Sequence, residues 1–268
     1  MSHRAHDYRF LIQRWRAVAR TAGVPLRRLV RTEHHDLFFL QTKALGATGG
    51  IYISAGIHGD EPAATEGLIA WAEKNARHLR TLPLLLLPCL NPWGRANNIR
   101  VNEDGLDLNR LFQRDDQPVI GAVRRLVAPH QFAAALMLHE DYDGQGLYLY
   151  EIARTQPYWG EALLAAARRH LPIDPRPRID GRKAVGGIHR RRIDRKRFAR
   201  MGYPEAIWFH LEHAQRALTI ESPSEFALER RVAAQVAVIA ECVRRVMKDR
   251  AVWKVWRKPA KHAKGRER

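Results

Sequence analysis

Four apolar runs constrain this chain most: "IYISAGI" (51–57), "LPLLLLPCL" (82–90), "AALMLH" (134–139) and "RALTIE" (216–221). Each is short for a globular helix and nearly free of charge, and helix-length segments separate them, predicted over 62–78, 118–129 and 158–170. Apolar strands that alternate with helices must be buried on both faces, which requires a largely parallel sheet with helices packed above and below. The expected fold is therefore α/β: one domain over 1–248 with a mixed, mostly parallel β-sheet flanked by helices on both faces. An amphipathic helix (7–22, with Phe10, Leu11, Trp15, Val18 and Ala19 at helical spacing) and a hairpin, "RRLVRT" with "DLFFLQTK", precede the core over 7–43. The α/β core occupies 50–248, including a basic loop at 172–203, a short helix near 204–213 and a last helix over about 224–248, and a basic tail fills 249–268.

Sheets of this kind bind ligands outside the carboxyl ends of their strands. The four apolar runs end at His58, Asn91, His139 and Glu221, so each delivers a polar side chain towards one rim. His58 and Glu61 share a strand-to-helix turn, "HGDE", followed by Pro62, which suits the first turn of a helix because its missing N–H has no partner there. Two imidazoles and a carboxylate are a usual catalytic zinc set, with one position left open, and His139 is the candidate third ligand. A base for the attacking water is also required, and Glu221 in "TIESPS" is placed for it, although a serine there could instead cap the following helix. The loop "NPWGRANNIRVNEDGLDLNRLFQ" (91–113) brings Arg95, Arg100, Asn109 and Arg110, side chains able to clamp a carboxylate or stabilise an oxyanion.

Charge and cysteine content narrow the class. The 268 residues carry a net charge of +18, concentrated in the N-terminal helix, in "GIHRRRIDRKRFARMG" (187–202) and in the tail with Trp253 and Trp256. No nucleic-acid-binding motif accompanies it, so nucleic acid is not the expected partner, whereas a basic rim at 182–200 would steer anionic substrates. Two cysteines, Cys89 and Cys242, make neither a disulfide framework nor a cysteine zinc site. The first 30 residues lack the apolar core of a signal peptide, and no stretch reaches the roughly 20 apolar residues of a membrane span. A soluble, cytoplasmic protein with no membrane partner is expected. "HLEH", with His210, Glu212 and His213, reads as polar contact rather than a second metal site, and His189 as a loop residue.

Taken in order, "HGDE", "NPWG", "RVNEDGLDLNR", the strand-ending His139 and "TIESPS" resemble the zinc carboxypeptidases, the funnelin family, over roughly residues 50–245. The likeness is to the short bacterial members. The resemblance implies one zinc per chain on His58, Glu61 and His139, with Arg100 polarising the scissile carbonyl and Glu221 as catalytic glutamate. It implies that Asn109 and Arg110 grip the substrate carboxylate, and it points to Tyr203 for the mobile tyrosine that covers substrate. The expected enzyme is a metallocarboxypeptidase-like hydrolase cleaving an amide next to a free carboxylate, on small or cell-wall peptides. The acidic "EDYDG" after His139 departs from the digestive enzymes. An N-acyl amino acid deacylase of succinylglutamate desuccinylase/aspartoacylase type shares the ligand pattern, but such enzymes carry a further β-rich domain, so it ranks second. A non-catalytic basic binding module is the alternative from another class.

Overall fold

The structure is a computed structural model that describes residues 4–190, 193, 196, 198, 200 and 202–248. The basic tail with Trp253 and Trp256, and part of the arginine run at 187–202, lie outside the described residues.

Helix α1 (Tyr8–Ala22) starts where Asp7 accepts a hydrogen bond from the Phe10 amide and stops at Gly23, whose φ of +63° is the left-handed stop that glycine tolerates. Strands β1 (Leu26–Arg31) and β2 (Asp36–Gln41) form the expected antiparallel hairpin. The chain then builds β3 (Thr48–Ala55), α2 (Pro62–Asn75), β4 (Leu84–Leu87), α3 (Pro92–Asn97), α4 (Pro118–Val127), β5 (Gln131–Asp141) and β6 (Tyr148–Ala153). It continues through α5 (Gly160–Ala167), β7 (Arg178–Ile179), β8 (Arg182–Lys183), β9 (Ile188–Arg190), α6 (Glu205–Glu212), β10 (Arg216–Pro223) and α7 (Leu228–Lys248). Prolines 83 and 88 bracket β4 and trim it to four residues, since neither can donate to a ladder.

Eight strands form one sheet in the order β1-β2-β4-β3-β5-β10-β6-β9, with β7 and β8 as a separate hairpin. The central strands β4, β3, β5 and β10 run parallel, and β2 and β6 flank them antiparallel. One core lies between the sheet and α1, α2, α5 and α7, around Trp15, Ile53, Leu136 and Ile239; the other lies under α4 and α6, around Tyr52, Leu87, Met137 and Phe209. Helices thus cover both faces, as the unbroken apolar strands require. From β3 the chain crosses to β4 on one side, and from β4 it returns to β5 on the other side of β3. The crevice between the carboxyl ends of β3 and β5 is the switch point at which such sheets bind ligands.

The region read as a loop at 172–203 differs. It carries β7, β8 and β9, and β9 adds to the sheet edge parallel to β6, with His189 buried on that strand rather than in a loop. Two-residue and three-residue strands leave no measurable alternation in sequence, which is why they escape periodicity. No helix among the described residues is long and apolar enough to cross a membrane.

Candidate metal centre and its cavity

His58 stands just past β3, in the turn that reverses the chain into α2. Gly59 must be glycine there, because a Cβ would run into the Gly94 carbonyl and the Arg95 amide of α3. Glu61 occupies the N-cap position of α2 but does not cap the helix with its side chain. Its carboxylate turns inward instead, with Oε1 2.5 Å from His58 Nδ1 and Oε2 2.9 Å from His139 Nδ1. The Glu140 amide donates to Oε2 at 3.2 Å and fixes the carboxylate against β5. All three residues are 3% exposed, and one donor atom from each lies within 4.8 Å of the others.

The electrostatics favour positive charge at this point. Burial alone would lower the histidines and raise the glutamate, yet the ion-pair contacts outweigh it. Glu61 is held well below the usual carboxylate range by the two imidazoles, while His58 is raised to about 9 by Glu61 and Asp107, and His139 is raised by Glu61. A buried carboxylate between two imidazole Nδ1 atoms is a donor set that suits a divalent cation, and nitrogen with oxygen suits zinc. Asp107 orients the ring: the His58 Nε2–H donates to Asp107 Oδ1 at 3.2 Å, which turns Nδ1 to Glu61, where a metal ion would take the place of the Nδ1 proton. Among the described residues this is the one such cluster. His210, Glu212 and His213 form no second one, and His213 Nδ1 lies 3.0 Å from the His130 carbonyl oxygen.

A cavity of about 470 Å³ opens over the cluster, and it is lined by His58, Glu61 and His139 together with Arg100, Asn109, Arg110 and Glu221. Glu221 lies on β10 directly opposite His139 of β5 and Tyr148 of β6, so the pleat aims all three side chains at the same face. Surrounding protein pushes the Glu221 carboxyl up to about 8, against the opposing pull of His139. No serine caps a helix immediately after Glu221: β10 runs on to Pro223, and the buried Ser222 hydroxyl lies beneath His139.

The 91–113 loop supplies the cations. Arg100 donates to Asp107 Oδ2 from Nε at 3.2 Å and Nη2 at 3.1 Å, and its Nη1 reaches within 3.7 Å of Glu61 Oε1. Arg110 is 47% exposed and 4.0 Å from Asp107, so its guanidinium is open to the cavity. Asn109 is oriented by the Glu205 amide, which donates to Asn109 Oδ1 at 2.8 Å. Arg95 does not join them: it is buried on Thr65 and Glu66. Tyr203 does not line this cavity either. Its backbone pairs with Phe112 and Gln113, and it borders a smaller cleft with Arg124 and Trp208. The phenols on the cavity wall are Tyr148 and Tyr150, fixed on β6.

Asp107 is the residue that sequence reasoning missed. Its visible signal was only an Asp two residues before Asn109, where it accepts from the Asn109 amide and starts a single 3-10 turn, Leu108–Arg110.

Residues 47–141 match the succinylglutamate desuccinylase/aspartoacylase catalytic domain. No curated protein sequence matches the chain. Among solved structures, it is similar to a protein provisionally named as a metallopeptidase from Shewanella denitrificans, with a TM-score of 0.77 at 21% identity over 90% of this chain and 91% of that one. A metallo-carboxypeptidase from Burkholderia cenocepacia superposes with a TM-score of 0.65 at 18% identity, covering 88% and 68% of the two chains. The murein-tripeptide amidase MpaA from Escherichia coli O157 gives 0.57 at 18% identity over 84% and 95%.

Proposed function

We propose that this chain, which has the fold of the zinc carboxypeptidases and a segment of the succinylglutamate desuccinylase/aspartoacylase type, is a zinc-dependent hydrolase of amides next to a free carboxylate. One observation carries the reading. The His58–Glu61–His139 cluster, the Glu221 carboxyl and the Arg110 guanidinium face one cavity of about 470 Å³, room for a dipeptide or an N-acyl amino acid.

His58 Nδ1, His139 Nδ1 and the Glu61 carboxylate would hold one zinc ion, which supplies Lewis acidity to the substrate carbonyl and to water. Arg110 and Asn109 bind the substrate carboxylate and set the register of the amide. Arg100, held by Asp107 beside the ligand cluster, donates to the carbonyl oxygen as it gains negative charge. Glu221 in its ionised form, which a cation at the neighbouring cluster would favour, removes a proton from the attacking water while the new C–O bond forms. It then returns that proton to the amine nitrogen as the C–N bond breaks.

Small peptides, with wall peptides among them in view of the likeness to MpaA, are the first substrates to try. N-acyl amino acids are the second, because residues 47–141 match the deacylase family. The test is elemental analysis of the untagged protein and of His58→Ala, followed by hydrolysis assays on both substrate sets. About one zinc per chain, lost with His58, and release of an amino acid support the proposal; a chain that takes up no zinc overturns it.

A further inference from the structure

We propose that a second copy of this chain docks in the cleft between α1, α2 and α7, giving a two-fold dimer in which Glu229 of each copy meets Arg4 and Lys74 of the other. The proposal does not depend on the hydrolase reading.

The cleft measures about 730 Å³ and shares no lining residue with the metal-site cavity. Its walls are apolar: Phe10 from α1, Ala70 from α2, and Leu228, Val232, Ala233 and Val236 from α7. The sequence of α7 explains why this face is unusual. Over 232–240, "VAAQVAVIA", the one polar side chain is Gln235, and it is buried. Ala234, Val238 and Ile239 are buried beside it, whereas Val232, Ala233, Val236 and Ala237 are only half-buried and Ala240 is exposed. A helix that faces water has the opposite arrangement, with its polar residues outward. Leu228, Val232 and Val236 stand four residues apart and form one ridge along the cleft, of the kind that packs into the groove of another helix. An apolar cleft rimmed by charge marks an interaction surface.

Charge selects the occupant. The chain carries a net charge of +18, so two copies repel over most of their surface. Around this cleft the charges balance instead, Glu66, Glu73 and Glu229 against Arg4, Arg14 and Lys74. Arg14 is spent within the fold on Glu66 and Glu73. What remains is divided between the walls, with Glu229 on α7 and Arg4 and Lys74 on the side of α1 and α2. Among the described residues no opposite charge lies within ion-pair distance of these three. An acid on one wall and bases on the other are complementary to themselves about a two-fold axis, because each copy then offers its acid to the bases of the other. The ridge of each α7 enters the facing cleft, and Glu229 reaches Arg4 and Lys74 of the partner subunit. The tail at 249–268 matches less well: it holds eight Lys and Arg against two Asp and Glu, and a balanced cleft offers such a polycation no net opposite charge.

Sedimentation velocity of the untagged full chain tests this, and a dimer at micromolar concentration is expected. Val232→Asp sets a charge on the ridge, and should weaken association by about tenfold or more. Glu229→Lys, and separately Arg4→Glu with Lys74→Glu, place like charges across the axis and should each weaken it by about tenfold or more. Mixing these two charge variants should restore the dimer as a heterodimer, because every like-charge contact then becomes an opposite one. Circular dichroism melting reports the fold of each variant, and the charge variants, at exposed positions, decide the matter if Val232→Asp does not fold. A monomeric full chain, a dimer indifferent to all these substitutions, or a mixture that stays monomeric overturns the proposal. In a monomeric chain, a cross-link within one molecule from Lys254 or Lys258 to Lys74 would name the tail as the occupant instead.

Discussion

Asp107 Oδ1 accepts the His58 Nε2–H at 3.2 Å, while its Oδ2 holds Arg100 at 3.1 Å, so a single carboxylate orients both a metal-ligand candidate and the arginine proposed to stabilise the oxyanion. Removing it lets the His58 imidazole rotate. Asp107→Ala is expected to weaken zinc binding by roughly 10- to 100-fold, read by competition with a chromogenic chelator. Asp107→Asn, which keeps an acceptor but loses the charge, should fall between. Unchanged zinc affinity in both variants would show that Asp107 orients Arg100 alone.

In the proposed reaction Glu221 carries the proton transfers, and it contributes no donor atom to the His58–Glu61–His139 cluster. Glu221→Gln keeps the shape of the side chain and removes the base, so kcat should drop by roughly 10²- to 10⁴-fold with zinc content unchanged. Zinc stoichiometry and single-turnover kinetics check the two halves separately. Near-normal turnover with full zinc would assign the base to another group.

Arg100 and Arg110 sit in one loop but are expected to act at different stages. Arg100→Gln removes a donor that matters as charge builds on the carbonyl oxygen, and should lower kcat by roughly 10²- to 10³-fold. Arg110→Gln removes a contact made in ground state and transition state alike, and should raise KM with little change in kcat. Steady-state constants on one substrate decide it, and the reverse split would exchange the two assignments.

Much of this was legible in the sequence, and the reasons are physical. Unbroken apolar runs such as "LPLLLLPCL" and "AALMLH" define buried parallel strands, and once the sheet is parallel its carboxyl ends must share a rim, which gathers His58, His139 and Glu221. Tyr203 and the 172–203 segment were harder. Where Tyr203 points is set by backbone pairing with Phe112, a contact across 91 positions that no local pattern encodes. The β7–β8 hairpin is held by Ile179 and by the Tyr150–Asp180 hydrogen bond, so its existence depends on β6 rather than on its own six residues. Asp107 was hidden for a related reason: its importance comes from what it faces, not from its spacing.

Gln235 tests how far support for the site extends into the core. It is fully buried on α7, beside Gly67 of α2, and its Nε2 donates to the His139 carbonyl at 2.9 Å and to the Ser222 hydroxyl at 3.1 Å. One amide thus ties together the strand ends that carry His139 and Glu221. Gln235→Leu fills the space but leaves those acceptors without their donor, and should cost about 1–3 kcal/mol in chemical denaturation. Unchanged stability would mean that the strand ends are set by their ladder alone.

Glu205 gives the pH dependence. Its side chain is buried; Oε1 accepts from the Tyr52 hydroxyl at 2.6 Å, and Oε2 has no hydrogen-bond partner. Burial raises its pKa, against the opposing pull of the Tyr52 and Ser54 hydroxyls and of the two site histidines. The folded state therefore holds this proton more tightly than the unfolded chain does. Stability from this group is full below the ordinary carboxylate value of 4.5 and is lost as pH climbs through the raised folded value. Glu205→Gln removes the titration and keeps an acceptor for Tyr52. Melting in the presence of a chelator should show the variant close to the parent at pH 4 and more stable than the parent at pH 8. A gap that is constant across that range would mean that Glu205 stays ionised in both states, held so by His58 and His139.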